Sequence, residues 1–103
     1  MRRGELHQLP GGDKTYLIIQ SDAVTAAAPT VIALPVTTRP QRAGYPLTVA
    51  LDTDVLSEPA WVKITTPQTL ARHALTGPLT RVETTVLDKV DRALTAVLGL
   101  SEP

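Results

Sequence analysis

The chain has no cysteine and no phenylalanine, and its aromatic side chains are one tryptophan and two tyrosines in 103 residues. The absence of cysteine excludes disulfide bonds, zinc–thiolate sites and thiol catalysis, and it is typical of a reducing cytoplasm. No apolar run approaches the ~20 residues that a membrane span needs, and the opening MRRGELHQL has no apolar stretch behind its arginines. We therefore expect a soluble, cytoplasmic protein with no signal peptide and no membrane segment.

The charges of the chain cancel, because ten lysines and arginines balance ten aspartates and glutamates. The field of the whole molecule therefore offers no attraction for nucleic acid or membrane. Residues 1–50 carry five basic and three acidic side chains, so a cationic surface has to be built locally from this half. The length, with 43% hydrophobic and 19% charged residues, indicates one globular domain spanning residues 1–103.

Short β-branched segments separated by proline and glycine fill most of the chain. Residues 5–9 alternate polar and apolar side chains and lead into Pro10–Asp13, which predicts a hairpin. The strand-like segments after it read TYLIIQ, TVIALPV, PLTVAL and AWVKIT. About five short strands without an internal repeat predict an antiparallel sheet or a small barrel.

The last part of the chain changes to a helical period. Between Thr84 and Leu98 the apolar side chains recur at intervals of three and four, and Gly99 follows as a stop signal. Asp88 and Arg92 are spaced for an ion pair on the polar face. A shorter helical piece is plausible around PQTLARHAL. The predicted fold class is mainly β with a C-terminal α-helix, a small antiparallel barrel closed by that helix.

Most motifs of known chemistry are missing. The two histidines, His7 and His73, lie far apart, and neither HExxH nor a cluster of carboxylates is present, so no metal site is expected. Gly11 and Gly12 lack the lysine spacing of a phosphate loop, and there is no GxSxG elbow. We expect no cofactor.

The order of the segments resembles a known family. The opening RRGEL, the later YLIIQSD, then PTVIALPVTT and a last helix closing on VDRALTAVLGL look like the MazF/PemK toxins of bacterial type II toxin–antitoxin modules. The resemblance covers essentially the whole chain. It implies a small SH3-like β-barrel with a C-terminal helix, which agrees with the periodicity.

The resemblance also implies an activity. Such a toxin is a homodimeric, metal-independent endoribonuclease, an mRNA interferase that cuts single-stranded RNA at short sequences. The 2′-hydroxyl of the substrate attacks the neighbouring phosphorus and leaves a 2′,3′-cyclic phosphate and a 5′-hydroxyl. The implied partner is a cognate antitoxin whose acidic, partly disordered tail covers the cationic cleft and folds on binding.

The segment VIALPVTTRP ends a buried strand on two hydroxyls and a cation. By themselves these residues favour a structural role, in which Thr37 and Thr38 satisfy turn backbone groups and Arg39 is solvated. The resemblance implies instead that Thr37 is the catalytic threonine, whose hydroxyl donates to a phosphate oxygen. Thr38, Arg39 and Arg42 would then line the RNA groove, where arginine suits bidentate phosphate contact.

The second catalytic position departs from the family pattern. Just before the second strand the family usually has arginine followed by proline, whereas this chain has Lys14 and Thr15. Lysine keeps the positive charge but loses the planar fork of donors, and it releases a proton more readily than arginine. Two interpretations stay open: Lys14 is the catalytic cation, or it is an ordinary exposed hairpin lysine.

Other positions complete the RNA-binding set that the resemblance implies. Arg3 lies in RRGEL, Gln20 and Ser21 lie in YLIIQSD, and Thr65 and Gln68 replace charged members of a carboxylate-Gln-x-Arg segment of the family. The first hairpin loop is also several residues shorter than usual. The target sequence of a relative therefore does not transfer to this chain.

Four aromatic or imidazole side chains favour structural roles. His7, on the first strand, is expected to be buried or at an interface, and Tyr16, Tyr45 and Trp61 are expected to lie in the core or at an interface. For Tyr45, in the turn from Gly44 to Pro46, stacking on a base stays open as an alternative. Two alternative functions stay open: a gyrase poison of the CcdB type, which shares the fold, and a dimeric binding module whose active site has decayed. The former relies on a tryptophan near the end of its last helix, which LGLSEP lacks.

Overall fold

A computed structural model describes residues 1–11 and 14–101 of the chain. These residues form seven strands, two α-helices and one short 3-10 helix. In chain order the elements are β1 (Glu5–Gln8), β2 (Thr15–Ile18), α1 (Asp22–Ala27), β3 (Thr30–Thr37), β4 (Thr48–Leu51), β5 (Ala60–Lys63), β6 (Gln68–Ala71), the 3-10 helix (Arg72–Ala74), β7 (Thr76–Arg81) and α2 (Thr84–Leu98).

The strands make one antiparallel sheet in the order β4–β5–β3–β2–β1–β7, with β6 paired to β3 next to β5. The mainly β fold with a C-terminal helix is therefore confirmed. The sheet is not closed, however, because the edge strands β4 and β7 do not pair within the described residues. The helix α2 packs against β4 and covers the core there. In a closed barrel, pairing of the two edge strands would cover the core instead.

Alternating side chains divide between the two faces of this sheet. On one face Leu17 lies opposite Leu34, and both join the main core beneath Val90 and Ala93 of α2. On the other face Tyr16 lies opposite Pro35, and Tyr16 joins a smaller core that includes Val31 and Ala33. The strand β2 is buried along its whole length, as the apolar residues of both parities in TYLIIQ predict.

The helix α2 has the bounds that the periodicity predicts. It runs from Thr84 to Leu98, and Gly99 ends it in the left-handed conformation with a φ of 70°. The predicted pair between Asp88 and Arg92 does not form, since the ion pairs within residues 1–11 and 14–101 join Arg3 to Asp91 and His7 to Glu5. A long-range contact therefore replaces the local one on this helix.

The region after β5 differs from the prediction. The helical piece expected around PQTLARHAL is one turn of 3-10 helix at Arg72–Ala74, and Gln68–Ala71 forms β6 along the edge of β3. Pairing with β3 satisfies the backbone of β6 and overrides its weak helical pattern. Two further elements were not predicted. They are the helix α1, which is capped by the hydroxyl of Ser21, and the strand β7.

The first hairpin is confirmed, because β1 and β2 pair in antiparallel register. Two residues of its predicted turn, Gly12 and Asp13, lie outside the described residues. Among the helices of the described part, none is both long enough and apolar enough to cross a membrane.

Candidate active site

A cleft of about 850 Å³ opens beside the end of β3. Its walls come from the ends of β1 and β2, from β3 and the segment after it, from β5 and from β6. The lining residues are Gln8, Lys14, Thr15, Tyr16, Pro35, Val36, Thr37, Thr38, Arg39, Gln41, Leu56, Lys63 and Gln68.

Both predicted catalytic residues line this cleft. Thr15 pairs with Val36 across β2 and β3, so the residue before Thr15 comes opposite the residue after Val36. These residues are Lys14 and Thr37. The antiparallel ladder thus brings together two residues that are distant along the chain, and their catalytic roles stay predictions.

The hydroxyl of Thr37 is oriented by the backbone. Its Oγ1 accepts a hydrogen bond of 3.1 Å from the N–H of Arg39, and the residue is half-buried at the end of β3. A hydroxyl that accepts one bond still has a hydrogen to donate. The turn-satisfying role and the phosphate-binding role of Thr37 are therefore compatible, because they use different parts of the same group.

The charged residues described in the walls of the cleft are all cationic. Lys14, Arg39 and Lys63 line it, and no aspartate or glutamate is among its described lining residues. These three cations give the described part of the cleft a local positive potential on a chain of zero net charge. The arrangement suits an anionic ligand.

Carboxamides add hydrogen-bonding groups to the same walls. Gln8, Gln41 and Gln68 all line the cleft. The phenol of Tyr16 donates a 3.2 Å hydrogen bond to Oε1 of Gln68, which leaves the amino group of Gln68 as its donor. Gln8 donates through Nε2 to Oγ1 of Thr15 at 3.4 Å. Such groups can read the edges of bases.

Eight of the lining residues were not predicted as site residues, and five of these have polar side chains: Gln8, Thr15, Tyr16, Gln41 and Lys63. A signal existed for Lys63, since it is the single charged residue in the strand AWVKIT. Gln8, Thr15 and Tyr16 reach the cleft because β1 pairs with β2 and β2 pairs with β3, which a local pattern does not show, whereas Gln41 lies four residues after Thr37 in the chain.

Some predicted RNA-binding residues lie elsewhere and hold the fold together. Arg3 donates through Nε to the carbonyl of Ile19 at 2.8 Å and forms an ion pair with Asp91. Gln20 donates to the carbonyl of Thr30 at 3.0 Å, and Ser21 accepts from the N–H of Val24 as the cap of α1. None of Arg3, Gln20 and Ser21 lines the cleft.

Arg42 and Thr65 are also outside the cleft. Arg42 lines a separate cavity of about 280 Å³ together with Tyr45, Trp61 and Lys89. Thr65 is exposed in the turn after β5. The cleft thus brings together Lys14 and Thr37 with Thr38, Arg39 and Gln68 from the predicted set.

His7 is buried on β1, as predicted, and does not line the cleft. Its Nε2 lies 3.0 Å from Oε1 of Glu5. Within the described residues no three histidine, aspartate or glutamate side chains are grouped as a metal site would require. His7 is accordingly part of the packing between β1 and its neighbours.

The sequence matches the model of a family described as the PemK-like, MazF-like toxin of type II toxin–antitoxin systems over residues 5–98. The chain belongs to this family. The PemK/MazF-like toxin is 29% identical over 92 residues to Endoribonuclease EndoA of Bacillus subtilis (strain 168), a match that covers 87% of this chain and 79% of EndoA.

Solved structures agree with this assignment. An endoribonuclease in complex with its cognate antitoxin, from Mycobacterial species, superposes with a TM-score of 0.83 at 28% identity, over 100% of this chain and 99% of that one. The MazE-MazF structure (Form-I) from Deinococcus radiodurans superposes with a TM-score of 0.80 at 26% identity, over 96% of each chain. The toxin therefore shares its whole fold with these proteins.

Proposed function

We propose that this PemK/MazF-like toxin is a metal-independent endoribonuclease that cuts single-stranded RNA, with Lys14 and Thr37 as its catalytic residues. The observation that carries the proposal is the placement of an ammonium group and an oriented hydroxyl in one cleft, whose described lining residues include no carboxylate. The relatives named as endoribonucleases supply the reaction class.

The proposed reaction needs no nucleophile from the protein. The 2′ oxygen of the substrate bonds to the neighbouring phosphorus and gives up its proton to water, while the bond from phosphorus to the 5′ oxygen breaks and that oxygen takes up a proton from water. The products are a 2′,3′-cyclic phosphate and a 5′-hydroxyl. The protein has to hold the attack in line and stabilise the charge that develops on the phosphoryl oxygens.

The two catalytic residues divide this work. The hydroxyl of Thr37 donates to a phosphoryl oxygen from a strand end that the sheet holds rigid. Lys14 is exposed directly before β2, where its ammonium can reach the same phosphate and neutralise charge. Thr38, Arg39 and Gln68 extend the contact along the RNA on either side of the phosphate.

The positive charge of the same cleft also indicates which partners the toxin binds. An acidic antitoxin segment would find three cations among the described lining residues and would exclude RNA by occupying the same charges. One of the similar structures is named as an endoribonuclease in complex with its cognate antitoxin, and another is named as MazE-MazF. We propose that the toxin is a cytoplasmic homodimer neutralised by such an antitoxin.

The test is RNA cleavage by the purified toxin in excess EDTA, with the fragment ends mapped and identified chemically. We expect cyclic-phosphate ends, a loss of about 100-fold or more in rate for Thr37→Val and for Lys14→Met, and retained activity for Thr37→Ser. Thr37→Ser is the matched control because it keeps the hydroxyl.

The opposite results are as informative. Cleavage that disappears in EDTA would refute the metal-independent reaction. Intact RNA with the wild-type toxin, together with tight RNA or antitoxin binding, would identify a binding module instead. Unchanged cleavage in Thr37→Val would remove Thr37 from the mechanism.

A further inference from the structure

We propose that Lys63 is a further catalytic residue, a second ammonium group that contacts the scissile phosphate from β5 while Lys14 contacts it from the side of β2. Lys63 lines the same cleft as Lys14 and Thr37. This inference rests on the ribonuclease function proposed above.

The register of the sheet sets the position of Lys63. Thr37 pairs with Trp61 across β3 and β5, so the two side chains share a face. Lys63 comes two residues after Trp61 and points to that same face. Diagonal neighbours on one face of a sheet lie about 7–8 Å apart, a span that a lysine side chain can bridge. Thr37 thus has Lys14 directly across one strand pair and Lys63 diagonally across the other.

Among the residues that the structure describes, none supplies a counter-ion to Lys63. Within residues 1–11 and 14–101 the ion pairs are Arg3–Asp91 and His7–Glu5, and no carboxylate is among the residues that line the cleft. Lys63 is half-buried, so its stem is held by the strand while its ammonium shares the cleft with two other cations. Like charges gathered in this way repel, and an anion in the cleft relieves the repulsion.

The chemistry of the reaction accounts for a second ammonium. As the 2′ oxygen attacks, negative charge grows on both non-bridging oxygens of the phosphate. Lys14 supplies one point charge, and the hydroxyl of Thr37 supplies a neutral donor. A second ammonium on the opposite side of Thr37 would neutralise the other oxygen. Because this charge is largest in the transition state, Lys63 is expected to affect the rate of cleavage more than the affinity for RNA.

The test compares Lys63→Met with Lys89→Met under single-turnover conditions. Methionine keeps an unbranched stem of similar length and removes the charge, and Lys89 is an exposed lysine on α2 that does not line the cleft. We expect Lys63→Met to lower the cleavage rate at saturating toxin by about 100-fold. Its affinity for an RNA with a 2′-deoxy sugar at the cut site should fall by less than about tenfold, because most of the contact forms in the transition state.

Two further measurements separate catalysis from structure. Lys63→Arg keeps a cation and should recover at least part of the rate, and the melting temperature of each variant should stay close to that of the wild type. If Lys63→Met does not fold, Lys63→Gln is assayed in the same way. A rate for the neutral variant equal to that of Lys89→Met would overturn the inference while leaving the nuclease proposal intact. A wild-type toxin that cuts no RNA would overturn both.

Discussion

The guanidinium of Arg3 holds the carboxylate of Asp91 in α2, and the two residues are 88 positions apart in the chain. One bond joins Nη1 to Oδ2 at 3.2 Å, and Nη2 contacts Oδ1 of the same carboxylate. The backbone N–H of Arg3 also donates to Oδ1 of Asp22 at 2.7 Å. One arginine therefore joins the N-terminal segment to both helices.

This geometry predicts a structural role for Arg3. Arg3→Met should lower the free energy of unfolding by about 1–2 kcal/mol, because it removes the bond to Ile19 as well as the ion pair. A double-mutant cycle with Asp91→Asn should give a coupling energy of about 0.2–1 kcal/mol, since both side chains are partly exposed. Denaturant unfolding measures both quantities.

RNA binding distinguishes the two roles considered for Arg3. If the ion pair is its function, the folded Arg3→Met variant binds RNA as the wild type does. A loss of affinity with unchanged stability would instead support the RNA-binding role that the family resemblance implies.

The bond from Tyr16 to Gln68 predicts a change in cleavage specificity. In Tyr16→Phe the carboxamide of Gln68 loses the partner that fixes its Oε1 and becomes free to rotate. The donor that it presents to a base is then no longer fixed, so the ratio of preferred to next-best cut sites should change by about tenfold, the value of one oriented hydrogen bond. Sequencing of fragment ends from a random RNA pool measures this ratio.

Tyr45→Phe is the matched control for this specificity. Tyr45 is 56% exposed and lies outside the cleft, so the loss of its hydroxyl should leave the cut-site ratio unchanged. An equal change in both variants would show that the effect does not arise from the bond between Tyr16 and Gln68.

The elements that could be predicted from sequence are those with a strong local pattern. The helix α2 has the predicted bounds because its apolar side chains follow the helical period over fifteen residues and a glycine ends it. The strand β6 was missed because its four residues are exposed or half-exposed and show no alternation. Its place in the sheet depends on pairing with the edge of β3, and the sequence of β6 gives no information about that edge.

The residues of the cleft could likewise be predicted only in part from the sequence. Thr37 and Lys14 were selected by resemblance to a family, and the ladder between β2 and β3 places them side by side. Lys63 reaches the cleft from another part of the chain, and only the register of the sheet relates it to Thr37. The same resemblance selected Arg3 and Gln20 as RNA-binding residues. Their side chains instead donate hydrogen bonds to backbone carbonyls within the fold.

The carboxyl of Glu5 predicts a pH-dependent contribution to stability. Burial acts to raise its pKa, but the hydrogen bond with His7, the 2.8 Å bond from the N–H of Arg2 and the charges of His7 and the N-terminus together hold that pKa below its ordinary value of 4.5. A carboxyl whose pKa is lower in the folded state stabilises the fold above the unfolded pKa, and this stabilisation is lost as the pH falls through the folded pKa.

The measurement is the difference in unfolding free energy between the wild type and Glu5→Gln. We expect the wild type to be more stable above pH 4.5, with the difference shrinking as the pH falls below that value. A difference that stays constant down to strongly acidic pH would show that the Glu5 carboxylate does not have the lowered pKa.

The position of Gly77 in β7 predicts that one added methyl group there will strongly lower the stability of the fold. Its φ is +140°, a conformation that side chains rarely adopt, and a Cβ atom there would lie 2.9 Å from Nδ1 of His7 and 3.1 Å from the backbone nitrogen of Leu79. His7 is itself buried and cannot move aside without disturbing β1. Gly77→Ala should therefore lower the free energy of unfolding by about 2–3 kcal/mol.

Gly44 is the matched control, because a Cβ atom at that position would meet no atom within 4 Å. Gly44→Ala should change the free energy of unfolding by less than about 1 kcal/mol, and it reduces the freedom of the unfolded chain. Thermal or urea unfolding of both variants tests the comparison. Equal stabilities for Gly77→Ala and Gly44→Ala would mean that His7 gives way to the added methyl group, and that the packing between β1 and β7 is looser than the contact distances indicate.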